Sequence, residues 1–245
     1  MNRYGLWAIV SLLFVNGTPV IQKNFVPAPG IAVVELFTSE GCSSCPPADD
    51  ALAAAAKAYT GHVYMLGFHV DYWDRLGWKD AFSDAAWTNR QSRYAEQFNL
   101  TSIYTPEAVV NGQAEFTGSD RNRLFGTIET ELKKTAGPAP VLDARTGGDK
   151  NTITVSCQMA ARPGNLLNIA LVQRNAETQV KRGENEGKRL HHINIVRALK
   201  TLPAGPASVS FHLPAGLSAP DCLLIAFVQD KQSLVISAAA EAAIQ

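Results

Sequence analysis

The sequence predicts an α/β domain at residues 31–137, followed by a β-rich, sandwich-like domain at residues 141–245. Three observations carry that prediction. An apolar, β-branched run, then Cys42-Ser43-Ser44-Cys45, then a proline-led, alanine-rich stretch read as strand, tight loop and helix. A second apolar run lies just beyond that helix, which makes its strand parallel to the first. Past the linker Gly137-Pro138-Ala139-Pro140, short alternating or β-branched runs are separated by Gly and Pro, the spacing of an antiparallel sandwich.

Residues 31–37 are a buried strand by their β-branched content. Pro46 falls early in the next helix, where a missing N–H is no loss, and residues 48–59 continue it until Gly61. Residues 62–70 form the second strand. A polar and aromatic stretch follows, from Asp71-Tyr72-Trp73-Asp74 to Gly77-Trp78-Lys79-Asp80. Residues 83–98 predict a helix with Ser83 as N-cap and Arg90, Arg93 and Glu96 on its outer face. Thr105-Pro106 introduces a short strand at 108–110. Asn111-Gly112 is the strongest short hairpin signal in the chain, returning through residues 114–116. Residues 119–135 predict a helix capped by Ser119 or Asp120. Beyond the linker the predicted strands are 141–146, 152–158, 166–173, 193–198, 208–213, 223–229 and 234–238.

A composition 46% hydrophobic and 18% charged belongs to a folded chain rather than a disordered one. Lys+Arg and Asp+Glu both number 22, and the basic residues form no run, which argues against nucleic acid as a partner. Arg3 followed by an apolar stretch over residues 4–15 reads as an export signal, with Val15-Asn16-Gly17 as the cleavage site, and residues 1–30 are assigned to signal and linker. The expected location is periplasmic or secreted, with membrane attachment only through an uncleaved signal. In that compartment disulfides persist, so Cys157 and Cys222 are expected to join two strands of the second domain as a structural bridge.

Two cysteines two residues apart form a dithiol that can close into a small ring. Cys42 at a helix start faces the positive end of the helix dipole and free N–H groups, which favour its thiolate. Cys42 would attack a substrate disulfide, and Cys45, one turn deeper, would resolve the mixed disulfide. Ser43 and Ser44 add no charge, but their hydroxyls can donate to sulfur. No cofactor is implied. The expected partners are protein thiols or disulfides.

The order of strand, C-x-x-C at a helix start, parallel strand, and hairpin after Thr-Pro is similar to that of thioredoxin-like domains. The segment from Val34 to Cys42 resembles the opening of glutaredoxins. Through residues 35–47, 69–73, 77–80, 104–112 and Gly183-Glu184-Asn185, most of the chain resembles a bacterial family of secreted proteins with no assigned activity, domain of unknown function 1223. The resemblance implies that Thr105-Pro106 is a cis bond packed against the dithiol, with Thr105 pairing an extended peptide. It also offers Glu35 as a supporting acid. Glu35 lies seven residues before Cys42, however, where the thioredoxin acid lies six before, and one residue turns a strand side chain to the other face. Leu36 occupies the acid's position.

Asp71, Tyr72, Trp73, Asp74 and Trp78 follow the second strand at the dithiol end of the sheet, either as a wall of the site or as packing. His69 reads as a paired strand histidine, His191-His192 lacks companions for a metal site, and residues 183–187 read as a loop in preference to the alternative that their acidic residues and amide face the redox groove across the domain boundary. Three functions compete: an exported thiol–disulfide oxidoreductase, a non-catalytic peptide-binding module whose Cys42–Cys45 bridge is structural, and a copper(I) chaperone.

Overall fold

The computed structural model describes residues 29–245, so the expected export signal lies outside the described residues. Strand β1 (Ala32–Thr38), helix α1 (Pro46–Ala58) and strand β2 (Val63–His69) come first, with β2 parallel to β1. Every residue of β1 is buried, which is why apolar side chains occupy both of its faces rather than alternating, with Glu35 and Thr38 as the polar exceptions. Helix α2 (Ala85–Gln97) follows a single 3₁₀ turn at Asp74–Leu76. Its cap is Asp84, whose Oδ1 accepts from the Ala86 N–H at 2.8 Å. Ser83, the expected cap, instead donates to Asp74 at 2.7 Å. Arg90, expected on the outer face, points inward and is buried with Trp87, Gln91 and Tyr94.

The hairpin β3 (Glu107–Val110) and β4 (Ala114–Thr117) joins the free side of β1, and α3 (Arg121–Leu132) is capped by Asp120, which accepts from the Arg123 N–H. Asn111 and Gly112 take φ of 50° and 64°, the paired positive values of a primed hairpin turn. Asn111 also ties the start of β1, accepting from the Val33 N–H at 2.7 Å and donating to Ile31 O at 2.8 Å. A Cβ on Gly112 would overlap the Leu234 carbonyl at a conformation that penalises any side chain. Gly112→Ala is therefore expected to destabilise the chain by about 2–4 kcal/mol. A urea transition with an unchanged midpoint would show that the turn relaxes around the methyl group.

The second half departs from the expected sandwich domain. Its strands are β5 (Val141–Thr146), β6 (Thr152–Gln158), β7 (Asn165–Gln179), β8 (Arg189–Pro203), β9 (Ala207–His212), β10 (Cys222–Asp230) and β11 (Ile236–Ala243). Four of them extend the first sheet into one of eight strands, ordered β11-β10-β7-β8-β2-β1-β3-β4. The junction is a parallel pairing of β2 with β8 at Gly67 and Ile195. Without β8 the buried strand β2 would be an open edge, and pairing removes it. The boundary expected at residues 137–141 therefore crosses a continuous sheet. The sheet rolls so that β10 and β11 return across the face of β1 and β2. Phe227 and Ile225 share a core with Phe37, Phe68 and Leu66, Tyr64 donates to Ala239 O, and the Ile236 N–H donates to Asn111 O. Only β5-β6-β9 form a separate sheet, packed on the outer face of β7 and β10.

The expected Cys157–Cys222 bridge is also corrected. Cys157 lies on β6 and Cys222 begins β10, in the two different sheets, and both are free, buried thiols in the apolar layer between them. Packed sheets lie about 10 Å apart, beyond the usual reach of a disulfide unless the two Cα atoms converge. Burial raises the pKa of both thiols, that of Cys222 to about 11.

The β7–β8 hairpin is longer than the sequence suggested, 15 residues in each strand against the expected 166–173 and 193–198. Its outer part, where exposure alternates, projects as a two-stranded arm. That arm carries residues 183–187 to the start of α1.

Candidate functional site

Cys42 and Cys45 are joined in a disulfide with Cα atoms 5.4 Å apart, Cys45 being the N-cap residue of α1. Ser44 Oγ lies 3.4 Å from Cys42 Sγ. Ser43 and Ser44 are exposed, whereas both cysteines are fully buried. The free N–H groups expected at this helix start are not there. Pro46 and Pro47 have none, and those of Ala48 and Asp49 donate to Cys45 O at 2.8 and 3.2 Å.

The peptide between Thr105 and Pro106 is cis. Pro106 is buried beside Leu36, Ala48 of the first turn of α1, and Gly118, where a Cβ would collide with Leu36. Gly118 thus lets the proline and the dithiol helix approach. Thr105 is half-buried and accepts at Oγ1 from Trp73 Nε1 at 2.8 Å. On its other side Trp73 lies against Gly41, where a Cβ would be 3.1 Å from that of Trp73. Trp73 therefore bridges the dithiol loop and the cis peptide. Asp71 is not in this wall: it accepts from Thr88 of α2 at 2.5 Å and fixes the loop after β2. Gln91 holds the approach to the cis bond, donating to Tyr104 O and to Glu107, both at 2.6 Å. Burial pushes the Glu107 pKa up to about 7.

The arm of β7 and β8 covers the dithiol. Asn185, fully buried, donates from Nδ2 to Glu40 O at 2.9 Å and to Cys42 O at 2.8 Å. Glu184 accepts from the Ser43 N–H at 3.1 Å, and hydrogen bonding from the Ser43 side chain and then from its N–H lowers the Glu184 carboxyl pKa. Gly183 takes a positive φ of 78° against Trp78, whose indole donates to Glu40 Oε2 at 2.7 Å. These residues come from 141 to 145 positions away in the chain. Composition marked them as a turn, and the less favoured alternative, that they face the redox groove, is the one the geometry matches.

Glu35 is absent from the dithiol's surroundings. It projects to the opposite face of β1, where Arg90 Nε and Nη2 grip its carboxylate and Tyr94 donates to it. Alternation along β1 decides this: Val34, Leu36 and Thr38 face α1, while Val33, Glu35 and Phe37 face α2. Five other buried ionisable groups sit behind the dithiol. His69 Nδ1 lies 2.7 Å from Asp80 Oδ2, which also accepts from the Glu40 N–H. Burial opposes the Asp80 carboxylate, but the facing His69 and two backbone N–H donors hold its pKa below the usual range. His192 of β8 stands between Glu40 and Asp49, with Nε2 3.5 Å from the first and Nδ1 3.7 Å from the second. Of these only His69 and His192 had drawn notice in the sequence, because nothing in the spacing of Glu40, Asp49 and Asp80 sets them apart from surface acids. Among the described residues, no three His, Cys, Asp or Glu side chains are grouped to hold a metal ion. No helix among them is long and apolar enough to cross a membrane.

A family model described as "Protein of unknown function (DUF1223)" matches residues 33–229. No curated protein matches the chain. Among solved structures it is similar to protein AGR_C_4864 from Agrobacterium tumefaciens at 26% identity and a TM-score of 0.66, covering 86% of this chain and 94% of that one. It is also similar to HBP35 of Porphyromonas gingivalis at 15% identity and a TM-score of 0.53, covering 89% of this chain and 76% of that one, a likeness of fold alone.

Proposed function

The chain belongs to the DUF1223 family, and on that footing we propose that it is an exported, thioredoxin-like thiol–disulfide exchange protein acting through Cys42 and Cys45. The observation that carries this reading is the closed Cys42–Cys45 ring at the start of α1, with the cis Thr105–Pro106 peptide packed beside the same helical turn. The order β1-α1-β2, then α2, hairpin and α3 supports the thioredoxin-like assignment, and the signal-like residues 3–17 support export. Cys42, nearer the surface loop, is the sulfur a client thiolate attacks. Thr105 and Trp73 frame the approach, and the main chain of half-buried Thr105 is where an extended client would lie.

Access requires the arm to lift. Three hydrogen bonds hold it, one accepted by Glu184 and two donated by buried Asn185, the latter two worth about 1 kcal/mol net each. Those two bonds by themselves correspond to an open form populated at roughly one part in 30. Asn185→Ala removes both of them, about 2 kcal/mol, and should speed reduction of the disulfide by a small dithiol about thirtyfold, followed as the appearance of alkylatable thiols. An unchanged rate would mean that the arm does not gate the sulfurs.

Complete burial of both cysteines favours a second reading, in which the bridge is structural and the fold serves only to bind a partner. Redox titration separates the two. A potential above about −300 mV, loss of exchange in Cys42→Ser and accumulation of mixed disulfides in Cys45→Ser are expected of the exchanger. A potential below that value, with no mixed disulfide trapped, would establish the structural bridge.

A further inference from the structure

When a client thiolate breaks the Cys42–Cys45 bond, Cys45 leaves as a thiolate from a position that is fully buried in the disulfide form. A buried anion without a counter-charge is costly, so a proton must reach that sulfur during the step. The position on β1 that would present an acid to it is occupied by Leu36, and Glu35 points to the other face. The groups present on the dithiol's side are Asp49 and His192. Asp49 lies four residues after Cys45, one helical turn on, a spacing that puts the two positions on the same flank of α1. It is 9% exposed, and its only side-chain hydrogen bond among the described residues is a long one, from Thr38 Oγ1 at 3.4 Å. His192, 3% exposed, has no hydrogen-bond partner at either ring nitrogen among the described residues, and neither does Glu40 Oε1 beside it. Buried imidazoles are ordinarily satisfied on at least one side, so the unpartnered ring beside Asp49 and Glu40 sets this group apart.

We propose that Asp49, backed by His192 and Glu40, is the proton store of the buried dithiol, giving a proton to Cys45 when the disulfide opens and taking it back when the disulfide forms. The inference rests on the exchange reading above. In the opening direction, a client thiolate attacks Cys42 Sγ, the client–Cys42 bond forms, the Cys42–Cys45 bond breaks, and the proton of Asp49 passes to the departing Cys45 sulfur. The client's second thiolate then attacks the mixed disulfide, forms the client disulfide and releases Cys42 as thiolate. The chain's disulfide is thereby reduced to a dithiol and the client dithiol is oxidised. In the reverse direction the Cys45 thiol returns its proton to the Asp49 carboxylate before attacking.

Electrostatics suit the role. Burial pushes the Asp49 pKa up to about 7, offset in part by His192 and by the Thr38 hydrogen bond, while Asp80 and Asp50 push it further up. Helix-dipole stabilisation of a first-turn carboxylate, about 0.3–1 kcal/mol, is too small to reverse the desolvation. The outer edge of Asp49 meets a cleft of about 320 Å³ lined also by Lys188, Arg189 and His191, a route by which the proton exchanges with solvent. His192 comes from β8, so the added strands contribute chemistry as well as cover.

The test is stopped-flow reduction of the full chain by dithiothreitol between pH 5 and 9, corrected for the thiolate fraction of the reductant. In the wild type the corrected rate is expected to fall as pH rises through about 7, where Asp49 loses its proton. Asp49→Asn should abolish that break and slow reduction at pH 6 by about 10²-fold. Asp49→Glu should restore the break, and His192→Gln should move it upward. A wild type that reduces readily with no break, or an Asp49→Asn profile that overlays it, overturns the proton store and leaves exchange standing. A wild type and an Asn185→Ala variant that both resist reduction overturn the exchange reading, and the proton store with it. Should Asp49→Asn fail to fold, the carboxyl titration of wild-type Asp49 followed by carbon-13 NMR decides. Its pKa should differ between the disulfide and dithiol forms, and equal values sink the proposal.

Discussion

Arg90→Met is expected to destabilise the chain by about 3–5 kcal/mol, because it strands the Glu35 carboxylate in the core without its counter-charge. Arg90 and Glu35 are both buried, joined through Nε and through Nη2, the latter at 2.9 Å, and Tyr94 adds a third donor to the carboxylate. Burial opposes the Arg90 cation, yet Glu35 more than offsets it and holds the guanidinium pKa above its ordinary value. The same Arg90 rests over the rings of Phe68, Tyr94 and Phe227 at 5.3–5.6 Å and donates to Gln229 of β10. It therefore joins α2 of the first half to the returning strands of the second. The double variant Glu35→Leu/Arg90→Met should recover most of the loss, since an apolar pair of similar volume pays no desolvation. Urea unfolding of the wild type, both single variants and the double variant closes the cycle. A double variant no more stable than Arg90→Met would mean that packing on the three rings, rather than charge pairing, sets the energy. Loosening α2 should also release Gln91 from Tyr104 O and so weaken the support of the cis peptide.

Stability should fall as pH rises from about 4 to about 7, the reverse of what paired carboxylates usually produce. Asp49 and Glu107 keep their protons to about 7 in the fold, chiefly because both are buried. In the unfolded chain such groups ionise near pH 4. Between those values the unfolded state binds fewer protons, so each step up in pH favours unfolding. The contribution is fully present below about pH 4 and is lost above about pH 7. Each group is worth up to about 4 kcal/mol by the pKa difference alone. Denaturant melts of the oxidised chain at pH 5 and pH 8 should show the wild type losing stability and Asp49→Asn/Glu107→Gln losing far less. Parallel profiles for the two proteins would refute the assignment.

The elements around the dithiol were legible because their signals are local. Pro46 and the alanine-rich run specify α1, Asn111-Gly112 specifies a turn with two positive φ values, and Asp120 caps α3. Arg90 misled because its charge suggested solvent, and amphipathic spacing carries no information about a partner 55 residues away. The strand signals of the second half were legible as strands, but nothing in them said which sheet they join. Gly67, the one small residue in the middle of β2, marks in retrospect where β8 approaches.

By itself the sequence determined the dithiol, the helix it starts, the proline-led hairpin and the strand character of residues 141–245, all of which depend on φ/ψ preference and hydrogen bonds a few residues apart. Tertiary structure alone decided that one sheet runs through both halves, that Glu35 faces away from the cysteines, and that Glu184, Asn185 and His192 close over and behind them. Those outcomes depend on burying the edge of β2 and on pairing polar groups more than 140 positions apart. Both are properties of the packed chain, set by desolvation and by the geometry of the rolled sheet, and no periodicity along the sequence encodes them.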